Sequence, residues 1–301
     1  MSLRFVTLGV FTDKKFSGNP VAIVHVPEGT TLTQNQKQLI AREFNLSETV
    51  FLHEPNEKDK QNGDVRIGIF TAMAEVPFAG HPTVGTSNYL LRYLKDDPKL
   101  QGVRALQALA GRIPIDLSRN GKGIQLQVAH NVHIHHMPFK ETHFGHYPVV
   151  SIVKGMTFIL AQLQSLQELA KTKQNLLGTE NTYTSKHALD EGWQEGLITT
   201  YYYVDLGIVE DGTRKIRSRM FGSREDPATG SAASALCSSL ALCQKGALIT
   251  KYHITQGVEM GRQSDIFIQV TLEENFRTIK EVLLSGTAVK VMEGTIDIPE
   301  S

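Results

Sequence analysis

Surplus charge, abundant cysteine and long apolar runs are all missing from this chain. Lys+Arg and Asp+Glu both total 31, so the formal net charge is zero and no basic field is available to steer nucleic acid onto the surface. No apolar stretch approaches the roughly 18 residues that a membrane span requires. Met1–Val10 has neither the charged start nor the apolar length of a signal peptide. Cys237 and Cys243, the only cysteines, fall in one expected helix. They face different sides and stand too far apart to bridge, which suits a reducing compartment, and both are expected as small buried residues. No Gly-x-Gly-x-x-Gly or phosphate-loop pattern occurs, so no nucleotide cofactor is implied. A cytoplasmic protein with no nucleic-acid or membrane partner is the expectation.

Short runs rich in β-branched residues, punctuated by Gly, Asn and Pro, fill most of the sequence. Expected strands are 5–11, 22–26, 49–52, 65–70, 103–109, 113–117 and 124–129, then 151–153, 157–162, 197–204, 215–220, 248–253, 266–272 and a closing 283–291 region. Ala110-Gly111 and Asn120-Gly121 have the composition of hairpin turns. Thr33-x-x-Gln36 is a capping box opening a helix to about Phe44, Ser165-x-x-Glu168 opens a short one, and longer helices follow Pro82 and Ala228. This is α+β without regular strand–helix alternation. Two domains are expected, 1–130 and 131–301, with the C-terminal strand available to complete the first.

The halves echo each other. Arg66-Ile67-Gly68-Ile69-Phe70-Thr71 lines up with Arg217-Ser218-Arg219-Met220-Phe221-Gly222, and each is followed by an acidic residue, a Pro and a helix of small residues. A helix start carries unpaired N–H groups and partial positive charge, which suit a carboxylate or a developing oxyanion. Beside these starts stand His81, Asp226 and Ser231. The dipole favours a neutral imidazole at His81, whose plainer reading is a capping or core histidine. Asp226 reads equally as an ordinary N-cap, and Ser231 as a packing residue. Glu48 enters the apolar run Thr49-Val50-Phe51, where desolvation lifts a carboxyl toward a pKa useful in proton transfer; the plainer reading is a surface Glu.

Rival chemistries lack parts. Serine hydrolysis lacks a Gly-x-Ser-x-Gly elbow, and cysteine-pair racemization lacks its thiols, since the helix starts hold Ala79 and Ala228. His130, His133, His135, His136, His143 and His146 suggest a metal, but His-x-His on a strand offers two ligands and no third at clear spacing, so no metal is expected.

Phe16-Ser17-Gly18-Asn19-Pro20-Val21-Ala22, Asn45-Leu46-Ser47-Glu48-Thr49, Glu75-Val76-Pro77, Gly80-His81-Pro82-Thr83, Glu225-Asp226-Pro227-Ala228-Thr229-Gly230-Ser231 and Gln256-Gly257 occur in order along nearly the whole chain. In these the sequence resembles the PhzF-like, phenazine-biosynthesis isomerase family. The resemblance implies a diaminopimelate-epimerase-like fold: two pseudo-symmetric domains, each a mixed sheet rolled into a barrel around a central helix, with the site in the cleft between them, and a homodimer. It implies a cofactor-free isomerase or epimerase in which Glu48, His81 and Asp226 are catalytic. Asn19, Gly80, Pro82, Thr83, Thr229, Gly230 and Ser231 would then bind a small anionic carboxylate substrate, with backbone N–H groups on its oxygens. A non-catalytic binding protein on the same fold, and a lyase or hydrolase of similar acids, are the alternatives.

Overall fold

The structure is a computed structural model and describes residues 2–118, 123–141, 145–178, 189–194, 196–244 and 247–300. The Asn120-Gly121 turn and His143 lie outside the described residues. Contacts group the chain into two units, Met1–Gln127 with Ser285–Ser301, and Val128–Leu284.

In the first unit β1 (Ser2–Val10), β2 (Asn19–Val26), β3 (Glu48–His53), β4 (Asp64–Phe70), β5 (Glu75–Val76), β6 (Ala105–Ala108), β7 (Gly111–Leu117) and β8 (Ile124–Gln127) form one mixed sheet. β1 pairs antiparallel with β2, β2 parallel with β3, β3 antiparallel with β4, β4 parallel with β6, and β6 antiparallel with β7. The closing strand of the chain, Ala288–Asp297, pairs with the other side of β1. The parallel step from β2 to β3 is made by α1 (Gln34–Phe44), opened by the Thr33 capping box and closed at Asn45, whose φ is +48°. Leu3, Val24, Phe51 and Phe70 meet Ile40 and Ala41 of this helix in a buried cluster.

A second, wholly polar helix, α2 (Glu57–Asn62), has its own capping box from Asn56 and Asp59 and ends at Gly63 with φ +70°. Sequence periodicity did not announce it because it buries no residue. α3 (Gly80–Asn88) is the opposite case, with every residue buried and strands β1, β2, β3 and β8 packed against it. Gly85 permits this closeness: a Cβ there would lie 2.9 Å from methyl carbons of Val10 and Val21. Two of its hydroxyls bond their own helix, Thr83 Oγ1 donating to the Ala79 carbonyl at 2.7 Å and Ser87 Oγ to the Thr83 carbonyl at 2.7 Å. The turn between β6 and β7 is centred on Leu109 and Ala110, since Ala108 pairs with Gly111, one residue earlier than expected.

The second unit contains β9 (His133–Ile134), β10 (Phe139–Glu141), β11 (Gly145–Tyr147), β12 (Val149–Val153), β13 (Gly155–Gln162), β14 (Gly196–Ile208), β15 (Thr213–Phe221), β16 (Glu225–Asp226), β17 (Ile249–Gln256), β18 (Ser264–Leu272) and β19 (Ile279–Gly286), whose last two residues, Ser285 and Gly286, belong to the first unit. Its order repeats the first unit: β12 antiparallel to β13, β13 parallel to β14, β14 antiparallel to β15, β15 parallel to β17, β17 antiparallel to β18. α4 (Leu166–Lys171) makes the parallel crossover and α5 (Gly230–Cys243) is the central helix, packed by β12, β13, β17 and β18. Ser165 caps α4 as expected, but Glu168 reaches the N–H of Gln164 instead of closing the box on Ser165. Along α5, Cys237 is buried while Cys243 is exposed, which corrects the reading of both as buried. The closing region is two strands, β19 and β20 (Ala288–Asp297), not one. The fold is thus α+β, a mixed sheet around a central helix in each unit.

Candidate active site

Glu48 and His81 come together in the first unit. Glu48 is the first residue of β3, delivered there by the left-handed Asn45 that ends α1. His81 is the second residue of α3. Its Nδ1 lies 3.1 Å from Glu48 Oε2, with the imidazole 4% and the carboxyl side chain 18% exposed. Burial pushes the His81 pKa down to about 3, against a smaller upward pull from its hydrogen bond to the Pro20 carbonyl. Nε2 is buried with no hydrogen-bond partner among the described residues. The ring is neutral, with Nδ1 the nitrogen that faces Glu48. The neutral ring expected from the helix dipole is present, and desolvation is its main cause.

Pro20 belongs to the segment that carries Asn19, which is fully buried. That segment is tightly constrained. Gly18 has φ +72°, and a Cβ on it would meet the Val10 carbonyl oxygen within van der Waals contact. Phe11, buried and with φ +62°, fills the space above Gly286.

At the start of α3 no side chain caps the helix. The expected set of backbone donors, Gly80–Thr83, is narrower than the sequence implied. Pro82 has no N–H, and the Thr83 N–H is taken by the Ala79 carbonyl at 3.3 Å. Gly80 and His81 remain.

In the second unit Asp226, Thr229, Gly230 and Ser231 lie together at the start of α5. Asp226 is not its N-cap. It ends β16 opposite Met220, and Thr229 holds the cap position. Thr229 Oγ1 donates to Asp226 Oδ2 at 2.5 Å. Gln256 braces the turn: its Nε2 donates to the Asp226 carbonyl at 2.8 Å, and its Oε1 accepts from the Thr229 N–H at 3.3 Å and from the buried Tyr201 hydroxyl at 3.1 Å. Burial holds the Tyr201 phenol neutral by raising its pKa. Ser231 is buried at the second helical position, where His81 stands in α3.

Register extends the equivalence. Thr49 pairs with Phe70 and Thr200 with Phe221, so Thr199 occupies the place of Glu48. Glu75 and Glu225 likewise pair with those phenylalanines, which aligns Val76 with Asp226 and Ala79 with Thr229. The repeat therefore keeps the scaffold and changes the chemistry: a carboxyl–imidazole pair in one unit, hydroxyls with a carboxyl in the other.

The histidine-rich stretch has a partner the sequence reading missed. Asp190 accepts from His133 Nε2 at 2.7 Å and from His136 Nδ1 at 2.7 Å. Burial tends to raise the Asp190 pKa, but the bonds from His133 and His136 outweigh it and hold it at about 2. His130 instead bonds the Val128 carbonyl, at 3.0 Å.

A family model described as phenazine biosynthesis-like protein matches residues 8–294. The trans-2,3-dihydro-3-hydroxyanthranilate isomerase of Pseudomonas aeruginosa is 30% identical over 302 residues, covering 97% of this chain and 98% of that protein. An uncharacterized isomerase of Pasteurella multocida is 31% identical over 306 residues, covering 97% and 93%. Among solved structures, a PhzF-family phenazine biosynthesis protein of Bacillus anthracis aligns with a TM-score of 0.75 at 21% identity over 99% of this chain and 100% of that one. A probable proline racemase of Agrobacterium radiobacter aligns at 0.66 with 12% identity, covering 99% and 93%. These last two show likeness of fold.

Proposed function

Because the chain belongs to the phenazine biosynthesis-like family and is, by its likeness to named isomerases, an isomerase, we propose that it moves a proton between carbons of a small carboxylated substrate without a cofactor, with Glu48 as the acid/base. The observation that carries this reading is the carboxyl group of Glu48 set 3.1 Å from a buried imidazole. As carboxylate, Glu48 takes a proton from carbon, and the electron pair of that bond delocalises into the substrate as an enolate. As carboxylic acid, it returns the proton to another carbon. A neutral His81 suits this task, because an imidazolium beside Glu48 would hold the carboxylate ionised and weaken it as a base. The N–H groups of Gly80 and His81 are donors of the kind that stabilise an enolate oxygen. Asp226 and Ser231 take the roles of proton handling and substrate polarisation, and a cyclic acid such as the substrate named for the Pseudomonas relative is the first compound to try.

The test is solvent-deuterium uptake at carbon, measured by NMR on a panel of small cyclic carboxylic acids. Wild-type protein is expected to exchange at least one of them. Binding without exchange would favour a ligand-binding protein, and product cleavage a lyase or hydrolase.

A further inference from the structure

We propose that His133 Nε2, His136 Nδ1 and Asp190 Oδ2 form a site for a borderline divalent transition-metal ion, Zn2+ foremost, in the second unit and independent of Glu48 and His81. Both imidazole nitrogens lie 2.7 Å from the same carboxylate oxygen.

The surroundings fix these groups before any ion arrives. The His136 backbone N–H donates to both carboxylate oxygens of Asp190, at 3.3 and 3.2 Å. His135 anchors the same residue from behind: its Nδ1 accepts the Asp190 N–H at 3.2 Å, while Nε2 lies 2.9 Å from Ser151 Oγ, itself 2.7 Å from Thr157 Oγ1. A ring whose Nδ1 accepts carries its proton on Nε2, so His135 is a support and not a ligand. Trp193 stacks on His133 with centroids 4.6 Å apart and planes 9° from parallel, setting that ring's direction. The His136 side chain is 88% exposed, which gives an ion a way in and water a coordination place.

The donor set selects the class of ion. Two imidazoles and one carboxylate suit Zn2+, Ni2+ or Cu2+; Ca2+ and Mg2+ favour all-oxygen cages, and no thiolate is near to favour soft ions. Tetrahedral ligands at metal–nitrogen distances of about 2.0 Å stand about 3.3 Å apart. Each imidazole nitrogen, now 2.7 Å from Asp190 Oδ2, would thus stand about half an ångström further from that oxygen once a metal replaced the shared protons. A plain hydrogen-bonded clamp, the competing account, predicts no metal affinity.

The experiment uses the full chain without an affinity tag, stripped with chelator, titrated with ZnCl2 by calorimetry and with Co2+ by visible absorption. One saturable Zn2+ site is expected, with a Co2+ spectrum showing nitrogen–oxygen ligation. His136→Ala, which removes an exposed ring, and Asp190→Asn should each weaken binding at least about 10-fold, with circular dichroism unchanged. Absence of saturable Zn2+ binding to the wild-type chain overturns the proposal. So does binding that neither substitution weakens, since the ion would then sit on other histidines.

Discussion

Burial holds the His81 imidazole at a pKa of about 3 in the folded chain, from an ordinary 6.5. Its sign for stability follows from which state takes the proton. As pH falls below about 6.5 the unfolded chain protonates this histidine and the folded chain does not, so folding weakens by up to ~1.4 kcal/mol per pH unit until about pH 3. His53, lowered to about 4 by burial and then by Lys37 and Arg66, adds to the loss over the upper part of that window. Melting temperature followed from pH 7 to pH 4 should fall more steeply in the wild type than in His81→Gln. Parallel curves would mean that His81 is solvated. The same residue shows what a sequence can disclose at this scale. The helix-start context of Gly80-His81-Pro82 pointed to a neutral ring, but the pairing with Glu48 and the Pro20 carbonyl depends on strands that are neighbours only after folding. Asp190 was out of reach for the same reason, lying 54 residues from His136.

The central helices carry their constraint in composition. Small residues in α3 let β1 and β2 approach closely, and Gly85 sits where a methyl group would meet Val10 and Val21 at 2.9 Å. Gly85→Ala gains helix propensity of about 1 kcal/mol, but overpacking costs about 1–3 kcal/mol. The expected result in urea titration is a net loss of stability; a gain would show that the strands can yield. Elements of this kind were legible because β-branched runs, Pro-opened helices and capping boxes are local signals. The ones that escaped lack an apolar stripe, as in α2, whose Asn56-x-x-Asp59 box and closing Gly63 were nonetheless written in the sequence. Asp226 was misplaced because an acidic residue before Pro fits an N-cap as well as a strand end. Its pairing with Met220 decides the matter, and pairing is a non-local fact.

For the whole chain, the repeat of antiparallel and parallel steps in the two units shows one sheet-and-helix plan used twice. The six-residue echo around Phe70 and Phe221 hinted at it, and strand register gives it residue-level correspondence. The first unit is discontinuous, since β20 pairs along β1 from Ser2 with Asp297 to Val10 with Ala288. A chain ending at Thr287 should therefore lose cooperative folding of that unit and aggregate through the uncovered β1 edge. A soluble product with the wild-type melting temperature would show that β20 is dispensable.

Glu48 occurs in only one of the two repeats, Thr199 standing at its counterpart, so the proposed acid/base role falls to one of the two equivalent positions. The most direct measurement is deuterium uptake into an exchangeable substrate by wild-type protein and by Glu48→Gln, with circular dichroism as the check on folding. Loss of at least ~10²-fold in exchange rate with the fold retained is the predicted result. Exchange at the wild-type rate in a correctly folded Glu48→Gln variant would contradict the assignment.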